Sequence, residues 1–540
     1  MSAVAQGLAY DLTGLTVPVI ALFAFILPLL QKFVKHRLFP GVYAMVVTLF
    51  AAVSATTIYS HVASTGKPIV YGFGGWPPPL GIAYEVDGFN ALLGMYASWL
   101  IVGIVIFSLW YNRNLDEPEW YYTLLLGFEV GALGCFYTGD VFNLFVMIEV
   151  LAVSTYGLIA YHKNNPGSVE AAIKYAIIGA TATTIYFIGL MIIYGAYGTL
   201  NMGDILSRNI RLFGLIEVGL AGTAFIAVAT LAVSLSLWVF TFKAGLFPNH
   251  FWLPDAYCEA PTPVSAALSG VSEIVGVYAA IRFLYTIFPA FSPIGYAYRG
   301  VVLAVLLVLG FLGGVVGALM MFVQRDIKRL LAYSSVSHIG LLFLASAISF
   351  MPVSEEVVVI AFTAVLAHII AHGVGKLLLF ASSEIFIEAA GTKILDDMRG
   401  IGRKYPLVSM ALIAGFLNLM GAIPFLGFFS KLLMYQAYMA AGQVLPAIAI
   451  VVVSALSIPG YAKAIYSLVL SAPVKEFNGI RVGAYKYFLV LLAAILLATG
   501  IAFTHLYACI GSLVDSSLTF KGLVNYGQAF LEARHVLWGG

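Results

Sequence analysis

Apolar residues in this chain run in long unbroken blocks, with the polar positions gathered between them. Runs of about 20 apolar residues, the length a helix needs to cross hydrocarbon, fall near 13–31, 41–63, 90–111, 120–138, 140–161, 170–198, 214–242, 263–288, 299–322, 328–349, 355–386, 405–435, 443–470 and 485–508. The pattern predicts an all-α polytopic membrane protein with about fourteen transmembrane helices, called spans 1 to 14 here. No basic residue precedes span 1, so it reads as a retained helix and not a cleaved signal.

Composition agrees with this. With 61% hydrophobic and 10% charged residues over 540 positions and a mean hydropathy of +0.98, the chain has too little polar surface for a soluble fold. A net charge of +2 gives no basis for a nucleic-acid partner, but the placement of the basic residues is informative. Sixteen Lys and Arg lie in or beside the loops after odd-numbered spans, against Lys67, Arg208, Arg211 and Arg299 after even-numbered ones. That bias puts the odd-to-even loops in the cytoplasm and both termini outside, in the cytoplasmic membrane. Cys135, Cys258 and Cys509 have no paired spacing that would hold a cluster or zinc, so no cofactor is expected in this chain.

Charges inside the apolar blocks are the exceptions that carry chemistry. Span 7 leads into Lys243, and Pro248 then breaks the helix. A lysine at the centre of a span costs roughly 2.5 to 3.5 kcal/mol, and a broken helix is tolerated there only where freed carbonyls face protein or a water-filled cavity. Similar landmarks recur later. Asp140 opens span 5 and Asp326 opens span 10, and a lysine beside a proline break follows each at nearly the same distance, from 140 to 243 and from 326 to 431. Between them stand Lys174 in span 6 and Lys376 in span 11, and Pro424 marks the second break. Spans 4–8 and 9–13 therefore read as two inverted five-helix repeats with broken helices 7 and 12. The expected organisation is N-terminal helices over 1–119, a first half-channel over 120–290, a second over 299–470, and helix 14 with a tail over 471–540.

Glu149 lies nine residues into span 5, where a carboxylate would take up a proton or seek a cation. Lysine suits a proton relay because burial disfavours its charged form while a nearby carboxylate restores it. Lys243 and Glu149 would make such a pair if spans 5 and 7 adjoin. In the second half the candidates are His338, Lys376 and Lys431, with His368 and His372 at four-residue spacing on the face of Lys376. The two histidines lack a third ligand nearby, so no metal site is expected. His250, in the first broken segment, is a supporting candidate.

Several segments together carry a family resemblance. They are Gly74-Gly75-Trp76, Thr138-Gly139-Asp140-Val141-Phe142-Asn143-Leu144 with Glu149, the run from Lys243 to Pro263, Arg325-Asp326-Ile327-Lys328-Arg329 with His338, and Gly427-Phe428-Phe429-Ser430-Lys431. Over nearly its whole length the chain resembles the antiporter-like membrane subunits shared by respiratory complex I, Mrp-type sodium/proton antiporters and membrane-bound hydrogenases, with most likeness to the Mrp D-type protein. The resemblance implies that Glu149 and Lys243 form a first proton switch, and that Lys376 and Lys431, joined through His338, form a second. It departs from the family at span 8, where Ile274 stands in place of a usual lysine and Glu273 is its neighbour.

The expected function is proton translocation, with sodium as a further candidate ion, in a redox-driven respiratory complex. Its partners would be other membrane subunits, Mrp-like or bearing iron–sulfur or metal centres. The alternatives are the D-type component of a stand-alone Mrp antiporter and a transport-inactive scaffold.

Overall fold

The computed structural model describes residues 3–115, 117–216, 223–290, 292–477 and 479–538. Its helices are α1 (Ala3–Phe33), α2 (Phe39–Thr65), α3 (Gly88–Tyr111), α4 (Pro118–Tyr137), α5 (Val141–Ile159), α6 (Pro166–Tyr197) and α7 (Met202–Ile216). They continue with α8 (Thr223–Ala244), α9 (Leu253–Glu259), α10 (Thr262–Ala267), α11 (Glu273–Ile281), α12 (Pro293–Val323), α13 (Ile327–Ser346) and α14 (Glu355–Ala390). The last are α15 (Pro406–Met420), α16 (Leu426–Ala440), α17 (Val444–Ile465), α18 (Tyr485–Ile501), α19 (Phe503–Leu518) and α20 (Phe520–Trp538).

Among the described residues, ten helices are long and apolar enough to cross a membrane, and an eleventh results if α18 and α19, bent by 78°, form one span. The molecule is a predominantly helical multi-pass membrane protein. Part of the expected span over 214–242, residues 217–222, lies outside the described residues.

A two-stranded ribbon departs from the all-helical expectation, and the C-terminal helices depart from the expected course of span 14. An antiparallel ribbon of β1 (Ile69–Gly72) and β2 (Ala83–Val86) joins α2 to α3, pairing Ile69 with Val86 and Gly72 with Ala83. Span 14, expected as one helix over 485–508, breaks between α18 and α19, and the following α20 packs on α7 and β1. The ribbon escapes a hydropathy window because each of its strands is only 4 residues long.

Aspartates start the key helices. The Asp140 Oδ1 accepts from the amides of Phe142 and Asn143 at 2.9 and 2.8 Å. Asp326 does the same for Lys328 and Arg329 at 2.8 and 3.1 Å, and Asp87 for Phe89 and Asn90 at 3.0 and 3.2 Å. Each satisfies amides that the first helical turn leaves without partners. Glycine allows close helix contact where it matters: a Cβ on Gly276 of α11 would lie 2.4 Å from the Ala244 amide nitrogen of α8, one residue from Lys243.

Both expected breaks are present. α8 ends at Gly245 (φ 72°) and α15 at Gly421 (φ 84°), a left-handed conformation that costs glycine little. The carbonyls released there find donors within the protein. Phe242 O accepts from Trp252 Nε1 at 3.1 Å, and Leu419 O from Lys431 Nζ at 2.7 Å.

A buried ion pair locks the core beneath the ribbon. Arg282, fully buried, meets both Asp87 oxygens at 2.7 and 2.9 Å. Its guanidinium also lies 5.3, 5.4 and 5.1 Å from the ring centres of Phe89, Tyr278 and Tyr526, so the pair draws α20 onto the bundle. Removing one member of such a pair typically costs about 3–5 kcal/mol, whereas replacing both with apolar groups is often neutral. Asp87→Asn should therefore lower the thermal unfolding midpoint of the purified protein markedly. The double variant Asp87→Leu with Arg282→Met should recover most of that loss.

Candidate functional site

α6, α8 and α11 build the first part of the site around Tyr175. The Lys243 ammonium, 3% exposed, donates to the Tyr175 hydroxyl at 2.9 Å. Tyr175 stacks on Trp252 with ring centres 4.0 Å apart and meets Tyr156 edge-on at 5.0 Å. Both Glu149 and Glu273 lie within electrostatic reach of the Tyr175 hydroxyl. The expected direct pairing of Glu149 with Lys243 is not formed. α6 packs against both α5 and α8 and sets Tyr175 on the lysine, and Glu149 acts on Lys243 only at longer range.

Glu273 is fully buried at the centre of the molecule. Its Oε1 accepts from the Tyr257 hydroxyl at 2.5 Å, and its Oε2 lies 3.8 Å from His372 Nε2. Ile274 beside it is buried and apolar, so at this level the polar group of α11 is the carboxylate. His372 Nε2 is also 3.3 Å from Ser269 Oγ, which in turn is 2.7 Å from Ser335 Oγ.

From Lys376 a second set of contacts crosses the other half. Its ammonium donates to Ser334 Oγ at 2.7 Å and to the Leu331 carbonyl. Ser334 Oγ is 2.8 Å from the Tyr461 hydroxyl, which is 2.9 Å from His338 Nε2. His338 Nδ1 is 2.9 Å from His368 Nε2, and His368 Nδ1 is 2.9 Å from Ser430 Oγ. Ser430 adjoins Lys431, whose ammonium donates to the carbonyls of Leu419 and Met420 at 2.7 and 3.2 Å. Ser334, Tyr461, His338, His368 and Ser430 carry groups that can both donate and accept a hydrogen bond, whereas the ammonium groups at the two ends only donate. The rings of His338 and His372 lie 5.1 Å apart, bringing the two sets side by side.

Other expected candidates lie outside this chain of contacts. Lys174 is half exposed at the end of α6, paired with Glu170 at 2.7 Å and Asp255 at 3.3 Å. His250 rests against Phe247 and Tyr333 in the broken segment. Asp140 serves as a helix cap.

Beside these, at the rim, Lys393 reaches Glu259 at 2.9 Å, Cys258 Sγ at 3.0 Å and Asp326 at 3.7 Å. Desolvation lowers the Lys393 pKa, but its contacts with Cys258, Glu259 and Asp326 outweigh it, and the ammonium is held above the usual lysine range. Beneath the ribbon, burial raises the Glu85 carboxyl well above the usual carboxylate range, against the lowering influence of Tyr526 and Arg282.

Sequence reading missed the hydroxyls of Tyr175, Tyr257, Tyr461, Ser334 and Ser430, because one hydroxyl among many gives no periodic signal. It also missed Glu129 of α4, fully buried with neither carboxylate oxygen hydrogen-bonded. The signal that pointed to Glu149, a lone acid within an apolar block, was equally present there.

The profile described as NADH:quinone oxidoreductase/Mrp antiporter, transmembrane region, matches residues 138–457. The N-type subunit of the NADH-quinone oxidoreductase of Desulforudis audaxviator is 31% identical over 419 residues, covering 77% of this chain and 78% of that protein. The D-type component of the Na(+)/H(+) antiporter of Alkalihalophilus pseudofirmus is 30% identical over 385 residues, covering 70% and 72%. Among solved structures, a chain of the membrane-bound sulfane sulfur reductase, an archaeal respiratory membrane complex, superposes with a TM-score of 0.83 at 27% identity, covering 95% of this chain and 99% of that one. With more than half of its length matched to one family and relatives at this identity and coverage, the protein belongs to the NADH:quinone oxidoreductase/Mrp antiporter transmembrane family.

Proposed function

We propose that this chain is the proton-translocating, antiporter-like subunit of a multisubunit, redox-driven respiratory membrane complex. The observation that carries the reading is the buried contact chain from Lys376 through Ser334, Tyr461, His338 and His368 to Ser430, with Lys431 at its end. Ionisable groups placed at such depth mark ion pathways by default. The similar proteins support the respiratory setting: both relatives are named as subunits, and the similar structure belongs to a respiratory complex.

In this reading Lys243 with Glu149 forms one switch, Lys376 with Lys431 forms the other, and Glu273 joins them, next to the Ile274 that stands where the family usually has a lysine. A shift of Tyr175 or Tyr257 changes what surrounds each ammonium and so its hold on a proton. Moving one charge against the membrane potential takes about 2.3 kcal/mol per 100 mV, so the drive comes from a partner protein of the complex. The reading includes fourteen crossings, both termini outside, and inverted repeats over 120–290 and 299–470. Supporting it, Asp140 and Asp326 cap corresponding helices and form bridges to Asn201 and Ile394, and both breaks end in a left-handed glycine.

Two measurements on inverted vesicles carrying the intact complex test the proposal. Lys243→Ala and Lys431→Ala should each lower redox-driven proton or sodium movement at least tenfold, about 1.4 kcal/mol of barrier, without loss of assembly. Unchanged movement in both would make the chain a scaffold. Tyr461→Phe removes only the hydroxyl between Ser334 and His338 and should slow proton movement by about tenfold or more; a wild-type rate would show that protons bypass this contact chain.

A further inference from the structure

From His368 onward, the titratable residues of α14 fall on one stripe. Counting inward from the end of the helix, Glu388, Glu384, Lys376, His372 and His368 stand at multiples of four, and Phe380 fills the single gap. Exposure falls along it. The Glu388 side chain is 34% exposed and pairs with Arg113, Glu384 is 8% exposed, and Lys376 is fully buried. The stripe thus runs from the aqueous rim to the second switch.

Glu384 sits between these zones. Its Oε2 accepts from Thr262 Oγ1 at 2.5 Å. The charges acting on it are Lys328 of α13, Glu388 of its own helix and Arg113 beyond α3, and its carboxylate also acts on the hydroxyls of Tyr111 and Tyr485. Deeper still, Ser383 Oγ is buried without a hydrogen-bond partner, seven residues from Lys376 and so on nearly the same helix face. Eight residues at 1.5 Å each separate Glu384 from Lys376 by about 12 Å along the axis, too far for direct transfer.

Phe380 stands midway along the gap. Phe380 is fully buried and meets Tyr257 edge-on, with ring centres 6.3 Å apart. Tyr257 is the residue that donates to Glu273. An apolar ring at a constriction excludes water and gates by doing so.

We propose that Glu384 is the carboxylate through which protons enter the second half from the aqueous side where α14 ends, and that Phe380 is the plug between it and Lys376. The inference rests on the translocation reading above. The Glu384 carboxylate takes a proton from water. When Tyr257 shifts with Glu273, Phe380 yields and water fills the gap. The proton then passes by way of that water and the Ser383 hydroxyl to the neutral Lys376 amine, leaving the carboxylate free for the next.

The test uses the intact complex in vesicles. Glu384→Gln should lower driven proton movement at least tenfold, and Glu384→Asp should retain most of it. The Gln variant should recover as the pH on the α14-end side is lowered, because Lys376 must then take protons directly from water, whereas Lys376→Ala should not recover. Phe380→Ala should raise the passive proton leak without an electron donor.

A wild-type rate in Glu384→Gln beside a dead Lys376→Ala would overturn the entry role and leave the translocation reading intact. Wild-type rates in Lys376→Ala, Lys243→Ala and Lys431→Ala together would overturn both. Should Glu384→Gln fail to assemble, a wild-type leak in Phe380→Ala overturns the proposal.

Discussion

Holding ammonium groups in a low-dielectric interior is the constraint on which the rest of this structure depends. Lys243, Lys376 and Lys431 are 3%, 0% and 8% exposed, and their nearest partners are neutral dipoles: a tyrosine hydroxyl, a serine hydroxyl and backbone carbonyls. Burying a bare charge costs several kcal/mol, and neutral dipoles offset only part of that. A small rearrangement of these neighbours therefore changes how far each charge is offset.

The broken helices follow from the same constraint. Carbonyls released inside a bundle must find donors. At one break the donor is the Trp252 indole, which also stacks on the tyrosine that binds Lys243. At the other it is Lys431 itself. In both halves the interruption of the helix and the placing of the lysine are one structural event. The rim contacts of Lys393 and the buried pair of Asp87 with Arg282 tie further elements to the bundle around these positions.

Glu273 stands between the two sets of contacts, beside the Ile274 that takes the place of the expected lysine. A carboxylate between Tyr257 and His372, within reach of Lys376, puts one titratable group where both sets of contacts can sense it. Its neighbour Ile274 packs in the apolar core.

The chain by itself determined the membrane class, most helix positions, the aspartate caps, the two breaks and the buried Lys243, His338, Lys376 and Lys431. Each is a local property, since hydropathy over twenty residues, a capping side chain or a proline acts within a turn or two of its own position. Only the tertiary structure decided which of these residues meet. Tyr175 came to Lys243 in place of Glu149 because α6 lies between α5 and α8. Tyr461 came to His338 from more than a hundred residues away. Glu129, Glu384 and Phe380 gained their places from helices packed against them. Contacts of this kind depend on the angle and depth at which two helices cross, and no periodicity within a single helix records those.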